Sequence, residues 1–376
     1  MSFKVKRLNC KLLFLATLYV PCSSSSSSDN TLSSHASLAC SGWGGGSEII
    51  TGERLQAIAD ISVVTASWLA YHRSLPDVIK EEHAIILIDE EGNIVSGNRT
   101  RLVLAGTVFV YSHLLPRFFL GEAFSAIYAP FVLLSHNGDE ELDLREGRGE
   151  EEWKKRARSA LSSGRIIGWW AQNLVCPHPA VNWLPIGLAN SMWRHGDLTT
   201  MSEVMRSSQD ASSKNEWLHV AFKVSEHAPG RQQVFEILSQ LDFATVEGEK
   251  LPFREYLLKT SSHRFCASPR GNGIDTHRMW ECLYLHTIPI VEDSLFARQF
   301  AGMIVHETEG GETFCSYTVE VLGPSLPVLL VSDWSSVQLC VLERAWELAL
   351  SMEWDWEVLT MSRWKNFIRS HTREGQ

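Results

Sequence analysis

An α/β fold with parallel sheets is what this sequence predicts, on three observations. Short apolar runs alternate with stretches of helical periodicity, the pattern of strands joined by helices. Apolar residues make up 44% of the chain, too many for a disordered protein and enough for a globular core. Its 376 residues suit about two domains. Two such sheets would leave a cleft, with ligands outside the carboxyl ends of the strands.

At the N-terminus, Lys4, Lys6 and Arg7 precede an apolar run at residues 12–20. A basic start before a short apolar run is a secretory signal pattern. The run is shorter than the ~20 residues that cross a bilayer. Residues 1–22 are therefore expected to be a signal peptide or short signal-anchor, although Lys11 at the border of the run weakens the pattern. The protein is expected in the secretory pathway, in the Golgi or ER lumen, with membrane contact only through an uncleaved leader. Residues 23–28 are all serine, and Gly44, Gly45 and Gly46 follow. Such a stretch cannot bury apolar surface, so residues 23–46 read as a linker. Two domains are then expected over 47–206 and 207–376, with the polar stretch 207–215 joining them.

Residues 84–88 (AIILI) run into Asp89, Glu90, Glu91, Gly92 and Asn93, a strand followed by a turn. Residues 131–135 read as a buried strand and 136–139 (HNGD) as the loop after it. Residues 150–161 carry helical periodicity, while 166–170 (IIGWW) and 183–187 (WLPIG) read as short strands. Further on, 218–222 reads as a strand, 231–241 as a helix and 264–268 as a strand. A Gly-rich turn, a helix over 276–285 and strands at 288–291 and 328–331 follow, then helices at 339–350 and 358–368.

The formal net charge of −10 argues against a general nucleic-acid binder, which would carry a basic face. Eight cysteines without a C-x-x-C spacing argue against a zinc ribbon or a thioredoxin motif. One or two disulfides would suit a secretory lumen, but spacing does not assign them. Asn98, Arg99 and Thr100 form one glycosylation sequon. Trp is over-represented, with 14 copies. Buried Trp needs a partner for its indole N–H, and exposed Trp stacks on flat ligands; composition leaves both open.

Residues 263–291 carry the clearest chemistry, reading strand, Pro-Arg-Gly-Asn-Gly loop, helix, strand. Gly271 and Gly273 let backbone N–H groups approach a ligand closely. A helix starting near Asp275 or Thr276 offers free N–H groups and a positive dipole end, a ready anion site. Arg270 and Arg278 add charge, and the planar guanidinium fork suits phosphate. Glu281, one turn further on, would accept hydrogen bonds from a ribose hydroxyl. Phosphate-favouring and ribose-favouring groups on one element point to a nucleotide. The plainer reading is a glycine turn, Asp275 as an N-cap and Arg278/Glu281 as a surface pair. A dinucleotide fold is the rival nucleotide reading, with Glu292 and Asp293 as its acid. Against it, Thr276 stands where the third glycine belongs. The i,i+4 pairs Cys282/His286 and His277/Glu281 lack a third convergent metal ligand, and no Asp-x-Asp is present to hold a metal–nucleotide complex.

Residues 268–291 (SPRGNGIDTHRMWECLYLHTIPIV) resemble the donor-binding segment of the exostosin-like glycosyltransferases, that is, glycosyltransferase family 47 and its algal and giant-virus relatives. More loosely, they are similar to the C-terminal domain of the ribitol xylosyltransferase group. Three other stretches resemble the same family. These are 135–139 (SHNGD), 183–191 (WLPIGLANS) continuing through Trp193, His195 and Gly196, and 326–331 (LPVLLV) with Asp333 and Trp334. The likeness spans about residues 131–335 and a Trp-rich tail, and does not reach residues 47–120. His286 and Thr287 depart from it, standing where such proteins place Gly and a small residue.

The resemblance implies a GT-B fold: two Rossmann-like domains, acceptor-side at the N-terminus and nucleotide-sugar-binding at the C-terminus. It implies metal-independent transfer of a sugar, expected from a UDP-sugar, to a glycan or glycoprotein hydroxyl, with no cofactor and no nucleic-acid partner. On that reading Arg270 and Arg278, with the amides of Gly271, Asn272 and Gly273, stabilise the leaving diphosphate. Glu281 holds the ribose, His277 reaches the donor, Asp275 caps the helix beside Thr276, and Arg231 is a weaker donor contact. The general base comes from the opposite domain, with His136 and Asp139 as candidates. Trp280, Trp183, Trp193 and Trp334 are expected to pack, and Trp169 and Trp170 are the pair to watch for sugar stacking. The alternatives are a catalytically silent glycan- or nucleotide-binding relative and the dinucleotide-dependent oxidoreductase.

Overall fold

A computed structural model describes residues 46–76, 84–147, 149–208, 214–226, 228–308 and 315–373. The leader at residues 1–22, and the linker apart from Gly46, lie outside the described residues. Among the described residues, two mostly parallel seven-stranded sheets and twelve α-helices form. The first sheet contains β1 (Ile61–Thr65), β2 (Ile85–Ile88), β3 (Ile94–Ser96), β4 (Thr107–Tyr111), β5 (Phe131–His136), β6 (Ile166–Ala171) and β7 (Val181–Trp183). Its order is β3-β2-β1-β4-β5-β6-β7, with only the β2–β3 pair antiparallel. The second contains β8 (Glu216–Val220), β9 (Ala244–Val246), β10 (His263–Ala267), β11 (Ile288–Glu292), β12 (Ala301–Glu307), β13 (Tyr317–Val321) and β14 (Leu326–Val331). Its order is β13-β12-β14-β11-β10-β8-β9, with β12–β13 antiparallel. The strand order reverses between β1 and β4 in one sheet and between β8 and β10 in the other. Those reversals open crevices at the carboxyl ends of the strands, where ligands of open α/β sheets bind.

The first half carries α1 (Gly52–Gln56), α2 (Ala66–Ser74), α3 (Arg99–Val103), α4 (Leu115–Leu120), α5 (Glu122–Ala126), α6 (Glu152–Ser162) and α7 (Leu198–Ser207). The second carries α8 (Gly230–Leu238), α9 (Phe253–Ser262), α10 (His277–Tyr284), α11 (Leu339–Ser351) and α12 (Met361–Arg373). Strands β4 and β5 are buried at every position, as covered central parallel strands must be, and their Val, Phe and Leu residues suit that setting. At the edge, β13 buries only Val319. One apolar core runs from the first sheet through α10 to one face of the second, and α8 and α11 help cover the other face. The last helix returns to the first half. Met361, Trp364 and Ile368 of α12 form a buried stripe at helical spacing, and Phe367 and His371 meet Trp170 of β6 at ring distances of 5.8 and 4.7 Å.

Several local expectations change. His136 belongs to the strand, and the loop begins at Asn137 in the left-handed region (φ 59°). The strand expected over 183–187 ends at Trp183, because Pro185 cannot donate to a ladder and the Ile186 N–H is taken by Asp275. Helix α10 closes at His286, a non-glycine residue with φ 54°, and the Thr287 N–H reaches back to the Cys282 carbonyl at 2.9 Å. Trp169 and Trp170 are fully buried, so they are core residues and no sugar platform. Lys214, in the stretch expected to be a polar linker, is buried, and its Nζ donates to the carbonyls of Ser261, His263 and Leu285 and to Thr287 Oγ at 2.7–3.1 Å. A disulfide joins Cys315 to Cys340, ahead of β13 and at the start of α11.

Candidate functional site

The loop after β10 and the start of α10 lie at the strand-order reversal of the second sheet. Thr276 is the N-cap of α10 in extended conformation and gives no side-chain bond. Asp275 is therefore not the cap. Its Oδ2 accepts from Ile186 N at 2.6 Å and its Oδ1 from Trp280 Nε1 at 2.8 Å. Burial raises its pKa to about 7 despite those two donors. His277, the first helical residue, donates from Nδ1 to the Gly187 carbonyl at 2.8 Å, and burial holds its pKa down at about 4. A neutral ring with Nδ1 donating leaves Nε2 as the acceptor nitrogen. Gly273 is required by close approach: a Cβ there would lie 2.6 Å from Asn173 Nδ2. Asn173 is left-handed (φ 54°), and its Oδ1 accepts from Asp275 N at 3.2 Å. The start of α10 is thus seated on the 173 and 185–187 loops of the first half.

Three arginines surround the loop. Arg231 bonds the Arg270, Lys223 and Pro269 carbonyls at 2.9–3.3 Å, and burial with the nearby Arg278 charge pulls its pKa to about 10. Arg278 Nη2 donates to Ala221 O at 2.9 Å at the end of β8, while its buried Nε has no partner. Arg270 is half-exposed and pairs with Glu141 at 2.6 Å. Beside it, Asn272 Nδ2 donates to Asp139 Oδ2 at 3.0 Å.

Structure and sequence place the remaining candidates differently. Glu281 is buried and accepts from the Tyr256 hydroxyl at 2.9 Å, and desolvation raises its pKa to about 7. His136 is buried, with Nε2 donating to the Pro185 carbonyl at 2.9 Å and Nδ1 3.1 Å from Asn137 Oδ1. Burial lowers its pKa. Enclosed and tied through Nε2 to the Pro185 carbonyl, His136 acts as an internal strut of the junction. Asp139 is exposed and faces the loop at Asn272. Candidates from the two halves therefore meet at Asp139 and Asn272, and Arg270 pairs with Glu141 beside them.

Asn173, Tyr256, Gln172 and Glu141 had no signal in the sequence. Gln172 holds the Asn137 amide and the Gly138 carbonyl at 3.0 and 2.9 Å, contacts that span 34–35 residues of chain. Among the described residues, no group of three or more His, Cys, Asp or Glu side chains is placed to hold a metal. A cavity of about 480 Å³ lined by Asp60, Asn98, Arg101 and Leu104 lies at the opposite, amino end of β1 and β4 and contains none of the candidates. No family model and no curated protein matches this chain. The fold and the site define an α/β protein with two mostly parallel sheets and a cationic helix start at a crevice.

Proposed function

We propose that the protein is a glycosyltransferase of the GT-B kind. It transfers a sugar from a nucleotide donor, expected to be a UDP-sugar, to a hydroxyl of a glycan or glycoprotein. One observation carries this reading: Arg231, Arg270 and Arg278 converge on the glycine loop and helix start at a strand-order reversal, opposite a loop that bears an exposed carboxylate.

The Gly271 amide closes the loop on the Gly273 carbonyl at 3.2 Å, so the diphosphate lies against the amides of 272 and 273 and the start of α10, and replaces Glu141 as the partner of Arg270. In the transfer, the acceptor oxygen bonds to the anomeric carbon as the bond from that carbon to the diphosphate oxygen breaks. Asp139 takes the hydroxyl proton, and the arginines and amides stabilise the negative charge that collects on the diphosphate. Because His136 is enclosed, the base role rests on Asp139. Glu281 positions Tyr256 and the base of the helix rather than touching solvent, so a ribose contact requires its side chain to turn.

The test is a panel of nucleotide sugars incubated with the purified chain, followed by detection of free sugar and nucleoside diphosphate. Slow hydrolysis of one donor is expected, with Asp139→Ala retaining donor affinity and losing at least about tenfold in turnover. The absence of both binding and hydrolysis for every donor in the panel would sink the reading. Tight nucleotide binding without hydrolysis would select the catalytically silent alternative.

A further inference from the structure

The turn at residues 190–196 presents an exposed aromatic ring beside this site. Trp193 is 51% exposed, whereas most other Trp side chains of the described residues are buried or half-buried. Its ring stacks along His195 at 6.4 Å and 26°, and His195 meets His277 at 5.9 Å. An aromatic ladder thus runs from solvent to the first residue of α10.

The turn is held rigidly from beneath. Glu53, fully buried, accepts from Ser191 N and Oγ at 3.0 and 3.1 Å. Asn190, also buried, accepts from Glu53 N at 2.8 Å and donates to the Tyr71 hydroxyl at 2.8 Å and to Asn137 Oδ1 at 3.0 Å. Gly196 is obligatory, since a Cβ there would sit 2.0 Å from the Asn190 carbonyl. Burying a carboxylate is costly unless it is fully hydrogen-bonded. Here the buried groups brace a turn whose outermost side chain is a large apolar ring in water, and exposed rings on braced loops are a common form of binding element.

We propose that Trp193 is the floor of an acceptor subsite that takes one pyranose ring of a glycan. This inference rests on the glycosyltransferase reading. The C–H groups on one face of a pyranose carry partial positive charge and meet the negative face of the indole, and the ring hydroxyls stay free for hydrogen bonds. His195 stands between that ring and His277, with the charges of Lys250 and Arg278 near enough to hold its pKa down after burial does so first. A sugar seated on Trp193 is therefore two ladder steps, through His195, from His277 at the start of α10.

The experiment labels the full chain with 5-fluorotryptophan and titrates cellobiose, xylobiose, lactose and maltose, with the Trp193 resonance assigned by its loss in Trp193→Phe. The proposal expects at least one disaccharide to move that resonance. It also expects Trp193→Ala to weaken that binding on the order of tenfold, Trp193→Phe to retain most of it, and UDP affinity to be unchanged in both variants. It is overturned if no disaccharide moves the resonance or if binding survives Trp193→Ala. UDP binding without any sugar effect defeats the subsite and leaves the donor reading standing. A sugar effect without UDP binding defeats the donor reading and leaves the platform.

Discussion

Two buried carboxylates give the site its most measurable property. Asp275 and Glu281 both have pKa values raised to about 7 by burial. At these two positions the folded chain holds more protons than the unfolded one between about pH 4 and 7, and their contribution to stability falls as pH rises through that window. His277 works the other way. Its value is lowered to about 4, so it adds stability as pH rises from about 4 towards its unfolded value. The carboxylate effect is isolated by Glu281→Gln, which keeps an acceptor for Tyr256. Urea unfolding at pH 5 and pH 8 is expected to show the variant gaining roughly 1–3 kcal/mol on the wild type across that interval. Parallel profiles would show that Glu281 ionises normally. At the same scale, Lys214→Met removes the donor for three buried carbonyls and is expected to cost about 2–4 kcal/mol in the same assay. The loop and helix start at residues 270–278 were legible in the sequence because glycines ahead of a helical periodicity are a local pattern. Asp275 was misread as a cap because its true partner, Ile186, is 89 residues away, and spacing carries no trace of such a contact.

At the scale of elements, strands between turn signals were readable and several central ones were not. Residues 102–134 are apolar through β4, α4 and α5 alike, and periodicity does not separate a buried strand from a buried helix. The edge strand β13 was missed for the opposite reason, since only Val319 in it is buried. Two elements invite direct tests. Ile368 is fully buried where α12 meets the first sheet, so Ile368→Ala is expected to cost about 2–4 kcal/mol in guanidinium unfolding. No change would place α12 off the sheet. The Cys315–Cys340 bridge closes a separation of 25 residues, and the double Cys→Ser variant is expected to lose roughly 3 kcal/mol, read as a lower unfolding midpoint.

Across the whole molecule, the two sheets meet through loops that carry the candidate residues, and the terminal helix ties the second half back to the first. The formal net charge is −10, while Arg231, Arg270 and Arg278 gather around one loop and helix start. Of the sequence-derived picture, the α/β architecture and the placing of residues 268–278 at a crevice are visible in the structure. The enclosure of His136 and the pairing of Arg270 with Glu141 were not readable, because both depend on how the halves are packed. The most direct measurement is a calorimetric titration of UDP into the wild type and Arg270→Ala. Arg270 is half-exposed, so its loss is expected to spare the fold. The wild type is predicted to bind, and the variant to bind at least about tenfold more weakly at an unchanged Tm, the loss of one charge-assisted pair. Equal affinity in the two proteins, or no binding to either, would contradict a nucleotide site at the start of α10.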